Sequence, residues 1–332
     1  YTAPQRPGTA PGFTGNIAEW SWSNGVGNET YAFSYDSFGR LTDSRLFVGN
    51  ASSMSGTFSE RGVAYDRNGN ILSMTRLLDA ASAPESLSFS YEGNRLAAVS
   101  GAGPYAHDVS GNLTRDGRDC LDISYDMLGM TSSVSKDGSL LGRYTFLSDG
   151  TKRSAMKADG TGHVYAGSMV YTRDISGALS LECVLTGGGR LAVDRSPDGG
   201  VSYRPLIHVT DHLGSVRAVV DASTGAVIER NDYLPFGLRR PASNAASGTA
   251  TGSETSPNRW RFSGKESQSF LGADIPLLDF GARMYDPTTA RWTAIDPMAE
   301  DYHGVSTYAY CLGNPISIID PNGMDIWTMD EK

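Results

Sequence analysis

Cysteine, clustered positive charge and long apolar runs are all scarce in this chain. Its three cysteines, Cys120, Cys183 and Cys311, are widely spaced and odd in number, which suits neither a disulfide framework nor a zinc knuckle. Cys311 reads as a small apolar packing residue. Lys and Arg number 28 against 37 Asp and Glu, leaving a net charge of −9 and a pI near 5.1. No basic cluster of the kind that neutralises phosphates is visible, so a nucleic-acid surface is not expected. No apolar run approaches the roughly 18 residues a membrane helix requires, and Tyr1 to Gly8 lack the charged-then-apolar plan of a secretory signal. The missing initiator Met reads as a fragment of a longer chain, with any targeting information outside it. Phosphate-binding glycine loops, a Gly-x-Ser-x-Gly elbow and His-Glu-x-x-His spacing are also missing.

Glycine is abundant, at 39 of 332 residues, and Tyr (16) exceeds Phe (11). The length exceeds what one compact core organises, so two subdomains or a repeat-built object is expected. Ser, Thr, Asn and Asp crowd around the glycines, which favours short strands and tight turns over helices. A repeat is legible: Tyr35-Asp36-Ser37-Phe38-Gly39, Tyr65-Asp66-Arg67-Asn68-Gly69 and Tyr125-Asp126-Met127-Leu128-Gly129, with variants at Tyr91-Glu92-Gly93 and His107-Asp108-Val109-Ser110-Gly111 and a trace at Asp174 to Leu179. An aromatic ends one strand, Asp caps the turn, Gly takes a positive φ, and an apolar residue opens the next strand. Each unit is a β-hairpin. One hairpin cannot bury its apolar face, but a side-by-side series makes a continuous curved sheet. Asp66 to Asn70 is no calcium loop, because the glycine falls too early and no Glu occupies the twelfth position.

These units resemble the YD repeat. From His208 the likeness becomes denser, through His208 to Val220, Asn231 to Gly237, Phe262-Ser263-Gly264-Lys265-Glu266, Leu277 to Pro287, Tyr308 to Pro315 and the closing Asp320-Pro321-Asn322-Gly323-Met324. This stretch resembles the RHS repeat-associated core, the segment that ends the shell of RHS and YD-repeat polymorphic toxins before a variable toxic tip. The resemblance implies an all-β fold, a spiral of antiparallel β-hairpins ending in an RHS core segment that curls inward as a plug. It divides the chain into a hairpin strip (1–202), the core (203–324) and the start of a truncated tip (325–332). Met54-Ser55 and Ala80 to Ser86 read as loops, and residues 241–257 as a flexible loop with little apolar area to offset ordering entropy. A half-shell with exposed edges is expected at this length.

The same resemblance implies self-cleavage after the closing Gly-Leu-like pair, here between Met324 and Asp325. Two carboxylates in a water-poor cavity cannot both ionise cheaply, so one keeps a proton as acid while the other activates water. By motif, Asp296 is the leading catalytic carboxylate and Arg283 its partner, holding a carboxylate or stabilising oxyanion charge. Asp320 leads for the second carboxylate, ahead of Asp286 and Asp279. The bland alternative makes Arg283 and Asp286 a structural ion pair. Ala290-Arg291-Trp292, Asp296-Pro297-Met298-Ala299 and Met324 depart from the family's Gly-Arg-Phe, Asp-Pro-x-Gly and Leu. His208 and His212 could ligate a metal with Asp211 nearby only if the backbone bent, and Asp211 to Ser215 reads instead as a turn before the strand from Val216 to Val220.

No cofactor and no metal are expected. The implied partner is the chain's own C-terminal toxin domain, with secretion-apparatus or immunity proteins beyond it, no nucleic acid and no membrane span. The implied location is secreted or cell-surface. A different class of reading makes the sheet a non-catalytic adhesion or carbohydrate-binding module using Trp20, Trp22 and Trp260.

Overall fold

The computed structural model describes residues 4–12, 15–23, 27–50, 54–55, 57–79, 82–240, 258–272 and 275–328. Among them every regular element is a strand or a short 3-10 turn. Three strands from Glu19–Ser23 to Leu41–Val48, four from Ser59–Tyr65 to Arg95–Val99, and thirteen from Ala106–His107 to Val227–Arg230 follow one another in chain order, each antiparallel to the last. The first two groups are joined through side chains instead of a ladder, with the Ser44 hydroxyl bridging the N–H and C=O of Glu60. The segment read as a loop from Ala80 to Ser86 ends earlier, because Glu85 already opens the strand Glu85–Glu92. Loop 241–257 lies outside the described residues.

The repeat follows from its turn. Asp36 Oδ1 accepts the N–H groups of Phe38 and Arg40, and the same clasp recurs at Asp66, Asp126, Asp174 and Asp211. Gly39, Gly69, Gly111 and Gly129 all adopt positive φ, between 76° and 89°. The register slips by one residue just at the aromatic, at Tyr35, Tyr65, Tyr91, His107 and Tyr125, a bulge that adds twist to the strip. The tyrosine itself has a reason. Tyr65, Tyr91 and Tyr125 donate their hydroxyls to the carbonyls of Leu41, Ile71 and Leu113, the first residue after the preceding turn, at 2.7, 2.6 and 3.0 Å. Each unit is thereby pinned to the one before it. Backbone turns of the same form at Leu147–Gly150, Lys157–Gly160 and Ser196–Gly199 lack the opening Asp and so escape the sequence pattern.

The twisted strip curls until its ends meet, so the expected open half-shell is not what forms. Trp20 on the first strand packs edge-on against His212, 4.9 Å between ring centroids, and the Arg217 guanidinium lies over Trp20 and Trp22. Both tryptophans are therefore occupied by the chain's own residues, as is Trp260 beneath Arg259. The concave side is filled by the C-terminal segment from Asn258, built on a four-stranded sheet, Glu266–Ser267, Leu278–Asp279, Met284–Asp286 and Arg291–Trp292. Its aromatic centre is Phe262, Phe280, Tyr285, Trp292 and Tyr310, with Tyr285 and Tyr310 4.2 Å apart. Polar contacts run along the whole strip: Arg291 to Asn70, Tyr308 to Gly111 O, Tyr144 to Gln268, Lys152 to Glu266 and Asp279, and Arg259 to Glu182.

The plug presses on some repeat turns and not others. A Cβ at Gly111 would lie 2.4 Å from Ile295 Cδ1 and 2.8 Å from the Tyr308 hydroxyl, whereas one at Gly129 would meet nothing within 4 Å. Gly129→Ala is expected to cost about 1–2 kcal/mol from left-handed backbone strain. Gly111→Ala should cost about 1–3 kcal/mol more, from overpacking. Denaturant midpoints of the two variants check this, and equal losses would count against a plug seated at Gly111.

Candidate functional site

The tight turn from Phe280 to Arg283, between the strands Leu278–Asp279 and Met284–Asp286, presents a buried guanidinium to the end of the chain. Gly281, at φ 103°, lets Asn322 O come close, and the Ala282 N–H donates to that oxygen at 3.1 Å. Arg283 then reaches four acceptors. Its Nε donates to Gly323 O at 2.6 Å, one terminal nitrogen to Thr307 O at 3.3 Å, and the other to Asp296 Oδ2 at 2.9 Å and Asp320 Oδ2 at 3.3 Å. Its flat face covers Trp292, 4.1 Å from the ring centroid. All three charged groups are buried.

Asp320 opens a turn of the same design as the repeat. Its Oδ1 accepts from the N–H groups of Asn322, Gly323 and Met324 at 3.2, 2.6 and 3.2 Å, and Gly323 has φ 80°. Asn322 Oδ1 accepts from the Asp325 N–H at 2.9 Å, and its amide nitrogen donates to Asp325 Oδ2. The amide nitrogen of the Met324–Asp325 bond is thus held by one side chain. Lys265 Nζ donates to Pro321 O at 2.5 Å, an anchor the sequence motif contained without revealing its role.

Electrostatically, one guanidinium faces two carboxylates. Burial pushes the Asp320 carboxyl above its ordinary range, opposed by Arg283 and by the N–H groups of its turn, and reinforced by the Asp296 charge. Burial also lowers Arg283 and Lys265. An open cleft of about 580 Å³, lined by Asp108, Asn112, Asp126, Ile295 and Asp296 among others, reaches Asp296 from outside.

Arg283, Asp296, Asp320 and the segment to Asp325 therefore converge, while the weaker carboxylate candidates lie elsewhere. Asp279 is 2.6 Å from Lys152 Nζ. Asp286 accepts from the backbone and hydroxyls of Thr288 and Thr289, and among the described residues it makes no ion pair with Arg283, so the alternative structural pair does not form. His212 contacts Ile316 O at 3.0 Å, and His208 is held well below its usual pKa, at about 4, by burial and by Arg190.

The architecture defines a class: a curled strip of antiparallel hairpins closed by its own C-terminal segment. The chain has the fold of an RHS/YD-repeat shell. The Teneurin YD-shell family model matches residues 12–174. The chain is similar to the tRNA3(Ser)-specific nuclease WapA of Bacillus spizizenii, 25% identical over 272 residues, covering 79% of this chain and 11% of that protein. It is similar to toxin subunit YenC2 of Yersinia entomophaga, 32% identical over 100 residues, covering 30% of this chain and 9% of that protein. The crystal structure of TcdB2-TccC3-Cdc42 shares the fold with a TM-score of 0.68 at 19% identity, over 90% of this chain and 15% of that one. This chain thus spans about a tenth of the length of these two relatives.

Proposed function

We propose that the chain is the C-terminal part of a secreted or cell-surface toxin shell that encloses its own C-terminal domain and cuts itself once between Met324 and Asp325. On this reading residues 203–324 act as the functional core, 1–202 as strip and 325–332 as the start of the released tip. The observation that carries it is the Arg283 guanidinium, which donates to the Gly323 carbonyl next to the bond in question while pairing with both Asp296 and Asp320.

Asp296, which borders the open cleft, takes a proton from water as the water oxygen bonds to the Met324 carbonyl carbon. Asp320, whose pKa is raised by burial, supplies a proton to the Asp325 nitrogen as the C–N bond breaks. The products are a Met324 carboxylate and an Asp325 amine. Arg283 orients both carboxylates and offsets their charge as the proton moves. Preorganised proximity suffices for a single turnover, because the plug has already fixed the strand beside the acid and base.

The pH dependence follows from the direction of the Asp320 shift. A raised carboxyl is protonated below its pKa and loses the proton as pH rises through it, so cleavage of a chain extended by its native downstream residues should slow toward alkaline pH. Refolding that longer chain at pH 5 to 9 and following the cut by mass spectrometry tests this. A rate that stays flat through pH 9 would remove Asp320 from the acid role. After the cut, the tip should co-elute with the shell on size exclusion, as an enclosed domain would.

A further inference from the structure

Apart from the groups around Arg283, another carboxylate cluster lies on the seam between strip and plug. Asp116 ends the strand Leu113–Asp116, Asp119 lies in the turn that follows it, and Asp286 ends the plug strand Met284–Asp286. One oxygen from each lies within 4.8 Å of the others, and Asp116 and Asp286 are buried. Two oxygens each about 2.4 Å from one calcium ion can be no more than about 4.8 Å apart, so the span suits a shared ion.

A second observation points into the same spot. Tyr105 is only 9% exposed, and its hydroxyl faces Asp116 yet closes no hydrogen bond of acceptable geometry. It is held there by a close backbone approach, Gly103 N–H to Gly117 O at 2.8 Å. The hydroxyls and N–H groups of Thr288 and Thr289 orient the Asp286 carboxylate, as outer partners do around a metal ligand.

We propose that Asp116, Asp119, Asp286 and the Tyr105 hydroxyl bind a hard divalent cation, calcium by preference, that clasps the plug to the strip. All four donors are oxygen, with no nitrogen or sulfur to favour zinc. The surrounding charge agrees. The groups that face the cluster include one guanidinium, Arg118, which is 2.7 Å from a further carboxylate, Glu85.

The proposal stands apart from self-cleavage, and its test does not use cleavage. Thermal melting of the chain at pH 8 with EDTA or with millimolar calcium should give a melting temperature about 3 °C or more higher with calcium. The gain should shrink at pH 5, where protons compete. Asp119→Asn relieves the repulsion and caps no turn, so it should fold, melt higher than wild type in EDTA, and lose the calcium response. Terbium luminescence excited through tyrosine should appear on wild type, be displaced by calcium, and weaken at least about tenfold in apparent affinity in Asp119→Asn. No calcium or terbium response at pH 8, with Asp119→Asn stabilising all the same, would mean proton sharing only. Equal responses in wild type and variant would place the ion elsewhere, and either result overturns the proposal.

Discussion

Asp296→Asn is expected to abolish the break after Met324 in a chain carrying its native downstream residues, while leaving the shell folded. The amide is nearly isosteric with the carboxylate, and it can still accept from the Met298 N–H, which Asp296 Oδ1 takes at 2.9 Å. It cannot take a proton from water. Loss of a general base of this kind costs about 10²–10⁴-fold, which on a single-turnover cut reads as an intact chain by mass spectrometry. Arg283→Lys offers a graded companion. A point-like ammonium cannot reach Gly323 O, Asp296 and Asp320 together as the planar fork does, so cutting should slow, with a partial loss of melting temperature from the buried acceptors left unpaired. If wild type and Asp296→Asn are cut equally, or wild type with a folded tip is never cut, the protease assignment fails and a purely structural shell remains.

The largest stability loss is expected at Arg76. Its side chain is fully buried and is paired at 2.9 Å with Glu60, also fully buried. Its two terminal nitrogens donate to the carbonyls of Pro287 and Thr288, which makes it a second clasp between strip and plug. Arg76→Met would leave the Glu60 charge without its counterion and orphan two carbonyls, a loss of about 3–5 kcal/mol. Burial already raises the Glu60 pKa, and Arg76 is the chief opposing influence. Removing Arg76 should raise it further. The folded chain then holds that proton more tightly than the unfolded chain, so the deficit of the variant should shrink as pH is lowered. Adding Glu60→Gln removes the charge yet keeps an acceptor for the Phe236 N–H, and should recover much of the loss. Urea titrations of the single and double variants decide it. A loss below about 1 kcal/mol in the single variant would show that this pair does not hold the plug.

The repeat turns could be read from sequence because their determinants are local. An Asp oxygen reaches N–H groups two and four residues ahead, and a glycine supplies the positive φ, whatever surrounds them. The choice of tyrosine over phenylalanine was visible but unexplained, since the carbonyl it meets belongs to the preceding unit. The Arg283, Asp296 and Asp320 candidates came from motif likeness; only the folded chain shows that the three meet, because they lie 13 and 24 positions apart on different turns.

Sequence alone determined an all-β chain of hairpins, since turn chemistry and alternation act over a few residues. The tertiary structure decided that the strip closes on Trp20 and Arg217, that its concave side takes the C-terminal segment, and which charges meet across that seam. Those pairings, such as Arg76 with Thr288 and Lys152 with Glu266, join residues more than a hundred positions apart. They depend on twist summed over some twenty strands, and no short window of sequence carries that sum.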